Sequence, residues 1–165
     1  MEIQLTSRDY IIEAFFLLLK EKNMNEISIA EICNKAGVSR VTYYRNFNEK
    51  IDIINAYFTT MIDRFVKTMG IVNTNYHDVA YHTFSLLKEE KENIKALINN
   101  NLDYLYLNLL NKYLTRNFKK IENTEMLAHI YAGALFNISI WWVKNDCKGN
   151  IDTLINEFFK ICNFK

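Results

Sequence analysis

Between Arg40 and Lys50 the chain sets three cations (Arg40, Arg45, Lys50) among three hydroxyls (Thr42, Tyr43, Tyr44). Charge and hydroxyl donors at this density suit phosphate oxygens. From Asn34 to Lys50 four cations stand against one anion, Glu49, while the first fifty residues hold seven of each sign. The whole chain carries a net charge of +1, so the basic site is local and bulk electrostatics play no part. An ordinary helical hairpin with a solvated basic face is the competing reading of the same residues.

Other chemistries find less support. His77 and His82 are five residues apart, which does not put both on one helical face, and His129 stands alone. No metal site is expected from them. Cys33, Cys147 and Cys162 are odd in number and lack framework or metal spacing, so they read as reduced thiols. A thiol sensor built on Cys147 and Cys162 is weighed against buried, inert thiols. There is no nucleophile elbow, glycine-rich phosphate loop or paired-carboxylate arrangement. The expectation is a protein that is not an enzyme and needs no cofactor.

The elements that must hold the basic cluster are helices. The 165 residues include no proline and four glycines, and half are hydrophobic, so a real core and few breaks are expected. Ile11, Ile12, Phe15, Phe16, Leu18 and Leu19 form one face of a first helix starting at Thr6 or Ser7 and ending near Lys22-Asn23. Ser28 and Glu31 form a capping box that starts a second helix at Ile29. Gly37 stops it, and Ser39 caps a third helix that ends about Phe47. Two capped helices across Gly37-Val38-Ser39 make a helix-turn-helix by local rules. Ile32, Ala36, Val38 and Phe47 are expected to lock its angle.

A long fourth helix opens at Asn48-Glu49, and Gly70 to Asn75 is the clearest break. Further helices are expected at about 77–90, 92–100, 102–118, 124–146 and 151–163. The longest apolar stretch, Tyr131 to Val143, is interrupted by Asn137 and falls short of the roughly 20 residues that span a bilayer. With no signal-peptide pattern at the start, the expectation is a soluble, cytoplasmic protein without membrane contact.

From Ser7 to Ile53 the sequence resembles the tetracycline-repressor-type (TetR/AcrR-like) regulators. The resemblance rests on Ile29-Ala30, Gly37-Val38-Ser39, Thr42-Tyr43-Tyr44, Phe47 and Lys50, in that order. Asn23 replaces the usual glycine that ends the first helix, and Asn46 replaces a frequent histidine. The resemblance implies an all-α chain with a three-helix DNA-binding bundle at 1–48. The long fourth helix would join it to a helical ligand-binding and dimerisation domain at 49–165. It implies that Arg40, Val41 and Tyr43 reach base edges, and that Ser28, Ser39, Thr42, Tyr44, Asn46 and Lys50 hold phosphates.

Beyond residue 76 the resemblance is one of general design. The apolar faces at 126–142 and 151–161 suggest a twofold homodimer through a four-helix interface. An apolar effector pocket is expected around Phe84, Tyr104, Tyr131, Leu135 and Trp141, although such aromatics also serve as plain core. The implied function is a ligand-responsive repressor that binds a palindromic site on double-stranded DNA. The alternatives are a co-activator that docks a protein partner through the C-terminal domain, and an interaction protein that kept the fold.

Overall fold

The computed structural model describes residues 5–69, 76–117 and 124–162. The expected break at Gly70 to Asn75 lies outside the described residues. Among those described, all regular structure is helical. In chain order the helices are α1 (Ser7–Leu19), α2 (Ile29–Ala36), α3 (Arg40–Asn46), α4 (Lys50–Met69) and α5 (Tyr76–Glu89). They continue with α6 (Lys91–Asn99), α7 (Tyr104–Asn117), α8 (Thr124–Lys144) and α9 (Ile151–Cys162). A 3-10 turn at Met24–Glu26, which helical periodicity does not reveal, bridges α1 and α2.

Local chemistry explains the boundaries. The Thr6 hydroxyl accepts from the Asp9 N–H, and the Asp9 carboxylate accepts from the Thr6 N–H at 2.8 Å. These Thr6 hydrogen bonds lower the Asp9 pKa. Ser28 and Glu31 close the same box at α2, with N–H to oxygen distances of 2.9 and 3.2 Å. An ion pair from Lys22 to Glu31, followed by the Ser28 hydrogen bonds, pulls the Glu31 carboxyl down to about 2.

Gly37 ends α2 at φ +66°, a region that costs other residues dearly. Val38 N–H then reaches back to Cys33 O at 3.0 Å, closing the last turn. The Asp52 carboxylate accepts from the N–H groups of Asn48 and Glu49 at the start of α4.

Ile11, Phe15, Ile32, Tyr43, Phe47 and Ile53 pack where α1, α2, α3 and α4 meet, and that core runs without a gap along α4. There Phe58, Met61 and Phe65 carry it to α5 and α7, which in turn pack on α8. Two observations refine the reading of α8. From Glu125 to Lys144 it is long and apolar enough to cross a membrane, and Asn137 does not interrupt it. The Asn137 amide donates to Gly133 O, one turn back, at 2.7 Å. The buried Tyr131, Ala132, Leu135 and Trp142 nevertheless pack α8 among α5, α6 and α7, as a core helix of a folded chain.

Candidate nucleic-acid interface

The short turn Gly37-Val38-Ser39 leaves α3 standing against α1 and α2 with one face outward. The Ser39 hydroxyl accepts from the Thr42 N–H at 3.1 Å and lies 3.0 Å from the Thr42 hydroxyl. Both groups are therefore engaged in starting the helix. The outer face carries Arg40, Val41, Tyr44 and Arg45, all exposed, and Val41 reaches 69% exposure. No carboxylate among the described residues lies within ion-pair distance of Arg40 or Arg45. This pairs free guanidinium groups with a projecting aliphatic group, matching phosphates and guanine edges with a thymine methyl.

The structure revises several expected roles. Tyr43 is a core residue with no exposed surface, edge-on to Tyr44 at 5.3 Å and near Phe47 at 6.1 Å. Its ring packs in the core that α3 forms with α1 and α2, so it does not reach a base edge in this arrangement. Its buried hydroxyl makes no hydrogen bond, and burial pushes its pKa up to about 12.

Asn46 spends its amide on Thr42 O, at 2.8 Å. Lys50 turns its ammonium onto the carbonyls of Met24 and Ile27, at 2.5 and 2.8 Å, leaving one N–H for another partner. Ser28 is exposed with its hydroxyl in the α2 cap. Lys35 meets Glu21 at 3.6 Å, which offsets part of the local positive charge.

One cation escapes the sequence reading. Arg8, in the first turn of α1, places its guanidinium 5.9 Å from the Phe47 ring centre, next to the end of α3. No spacing rule links it to α3, because only the docking of α1 on α3 brings them together.

The expected effector residues do not converge on a cavity. Phe84, Tyr131 and Leu135 are fully buried, and Phe84 meets the Trp142 ring edge-on at 5.4 Å. Tyr104 and Trp141 are 50% and 55% exposed. These aromatics interlock as core or face outward, according to which side of α5, α7 or α8 they occupy. The structure holds instead an apolar cleft of about 50 Å³ between α4, α5 and α7, lined by Met61, Phe65, Val79, Thr83, Tyr106 and Tyr113 among others. Its walls at Ile62, Leu109 and Tyr113 also border a wider open groove between α4 and α7, where Lys112 and Arg116 stand.

Among the described residues no three His, Cys, Asp or Glu side chains are grouped to hold a metal. His129 meets Asn111 at 2.9 Å, and His77 stacks on Phe159. Cys147 is buried, and burial raises its pKa, the reverse of what activates a thiol.

This arrangement is an all-α fold that carries a helix-turn-helix, and solved structures of similar fold span nearly the whole chain. The chain is similar to Lin0861 from Listeria innocua, with a TM-score of 0.78, 13% identity and 99% and 96% of the two chains covered. It is similar to the dihydroxyacetone kinase operon activator DhaS, with a TM-score of 0.65, 15% identity and coverage of 96% and 94%. It also matches the TetR family repressor AlkX from Dietzia sp. strain DQ12-45-1b, with a TM-score of 0.54, 16% identity and coverage of 97% and 95%. No protein-family model and no curated protein sequence match the chain. The chain thus has the fold of the tetracycline-repressor-type regulators.

Proposed function

We propose that the protein is a DNA-binding transcriptional regulator and not an enzyme, acting in the cytoplasm as a homodimer on a palindromic site. The observation that carries this reading is α3, which presents Arg40, Val41, Tyr44 and Arg45 outward from a capped, glycine-terminated turn. Residues 1–48 would be the reading head and 49–165 the regulatory and dimerising body. Arg40 and Val41 would meet base edges. Tyr44 and Arg45, the caps at Ser28, Ser39 and Thr42, Asn46 and the remaining Lys50 N–H would meet phosphates.

Dimerisation is supported by a stripe on α8. Met126, Ile130 and Trp141 stay exposed, and a side chain at Gly133 would meet nothing within 4 Å. Soluble chains seldom leave such a stripe uncovered. In the dimer the two α3 helices would lie about one DNA turn apart, roughly 34–36 Å or somewhat more.

A small apolar effector would enter between α4, α5 and α7, since that cleft is lined chiefly by apolar side chains. It would change DNA affinity only by favouring one spacing of the reading heads, repression being the state without it. A second reading, a co-activator that docks a protein partner, is favoured by the small cleft and by the interlocked rings around Phe84.

Fluorescence anisotropy on a duplex from the region upstream of the protein's own gene tests the DNA reading. The expected result is tight binding at low salt that weakens steeply as salt rises. No binding at low salt overturns it.

A further inference from the structure

One side chain of the C-terminal body grips the backbone of the reading head. Asn100 caps α6 and is followed by Asn101 in the left-handed region at φ +57°. Its side-chain oxygen accepts from the Met24 N–H at 2.8 Å, across 76 residues of chain. Its amide donates to Ala96 O at 2.9 Å and, more weakly, to Leu19 O at 3.4 Å. One planar group therefore spans the end of α1 and the 3-10 turn, and its own helix fixes its orientation.

The far side of the same turn holds a cation. Met24 O, two bonds beyond the Met24 α-carbon, accepts from the Lys50 ammonium, as does Ile27 O. No carboxylate among the described residues pairs with Lys50. Ile27 immediately precedes the Ser28 cap, so the ammonium is held beside the start of α2 with one N–H unspent. The partial positive charge of a helix start adds to that of the ammonium there.

We propose that Asn100 is a positioning residue for DNA binding. Through the Met24 backbone, N–H on one side and C=O on the other, it holds the Lys50 ammonium at the start of α2, where that group meets a backbone phosphate. The proposal rests on the DNA-binding reading and adds to it a route of control. Because α6 also packs on α8, anything that shifts α6 slackens the grip on Met24 and with it the set of Lys50. A cation fixed before binding loses less freedom on meeting its phosphate than one tethered loosely.

Two measurements test this on the full-length protein. The first needs no DNA. Acylation of lysines by an N-hydroxysuccinimide ester, read by mass spectrometry, should find Lys50 slow in the unsubstituted protein and several-fold faster in Asn100→Ala. Asn100→Asp keeps the acceptor for the Met24 N–H and should restore much of the protection. Unchanged Lys50 labelling in Asn100→Ala overturns the grip.

The second measurement is binding of a labelled mixed-sequence duplex across a salt series. Asn100→Ala should lose several-fold in affinity, and its log–log salt slope should fall by about 0.9, one phosphate contact. In a Lys50→Met background the Asn100 substitution should then cost nothing more. An equal loss in both backgrounds overturns the proposal, because Asn100 would then act on the fold at large. If the unsubstituted protein fails to bind the duplex, the DNA reading itself falls, while the labelling still reports on the grip.

Discussion

The Tyr57 hydroxyl on α4 donates to the Glu90 carboxylate, the residue that opens α6, at 3.0 Å. Arg64, two turns further along α4, ion-pairs with Glu90 and with Glu89, and the Asn93 amide adds a 3.0 Å hydrogen bond. The junction of α5 and α6 is thus tied to α4 on two levels. Tyr57→Phe should cost about 1 kcal/mol of stability, the usual net worth of a partly buried hydrogen bond. The loss should stay modest because Glu90 keeps Arg64. Urea unfolding followed by circular dichroism checks the figure, and a loss several times larger would contradict it.

Alkaline pH should unfold the protein by way of its tyrosines. Burial raises the pKa of Tyr43 to about 12 and raises those of Tyr57 and Tyr106 above their ordinary 10. Each folded-state pKa exceeds its unfolded value, so the unfolded chain releases protons first as pH rises. This contribution to stability is fully present below pH 10 and declines above it. Thermal melts between pH 8 and 12 should show midpoints that fall only past 10.

Tyr43→Phe separates a core role from a base-reading role. The substitution removes a buried hydroxyl that has no partner, so stability should hold or rise by up to about 1 kcal/mol. DNA affinity should stay unchanged, whereas Arg40→Ala should relax preference at one base position by roughly 1–3 kcal/mol. A large loss of affinity in Tyr43→Phe, with stability intact, would return Tyr43 to the interface.

Gly133 and Ile130 test assembly. A side chain at Gly133 has free space around it in the isolated chain, so Gly133→Leu should leave a monomer's packing undisturbed. In a dimer closed through α8 it should clash, and Ile130→Glu should bury a charge. Light scattering should report a dimer for the unsubstituted protein and a monomer for both variants. A monomer throughout would remove the α8 interface.

Phe84→Ala should destabilise by about 3–5 kcal/mol, the cost of emptying a fully buried aromatic site, and so act on the fold before any ligand response. A variant that melts like the unsubstituted protein would show that the Phe84–Trp142 contact contributes little.

The helices and most of their ends were legible in the residues themselves, although α1 stops at Leu19, short of the expected Lys22-Asn23, where Asn23 instead opens the 3-10 turn. Ser28 with Glu31, Gly37 and Ser39 each act on backbone groups within three or four positions, so their spacing alone specifies caps and the turn. Phe47 as core and Arg40 as outward likewise follow from position on a helix whose start is known. What the residues could not reveal depends on contacts across long stretches of chain. Tyr43 is as polar and aromatic as Tyr44, and only the docking of α3 on α1 and α2 buries one and exposes the other. The Asn100 bond to Met24, the turn of Lys50 onto two carbonyls and the approach of Arg8 to Phe47 join residues 76, 23 to 26 and 39 positions apart. The placement of Phe84, Tyr131 and Leu135 in the core and of Tyr104 and Trp141 outside it was hidden for the same reason, since an aromatic or aliphatic side chain lines a cavity, fills a core or faces solvent according to its neighbours. Local hydrogen bonding is written in short spacings; burial is decided by which faces meet.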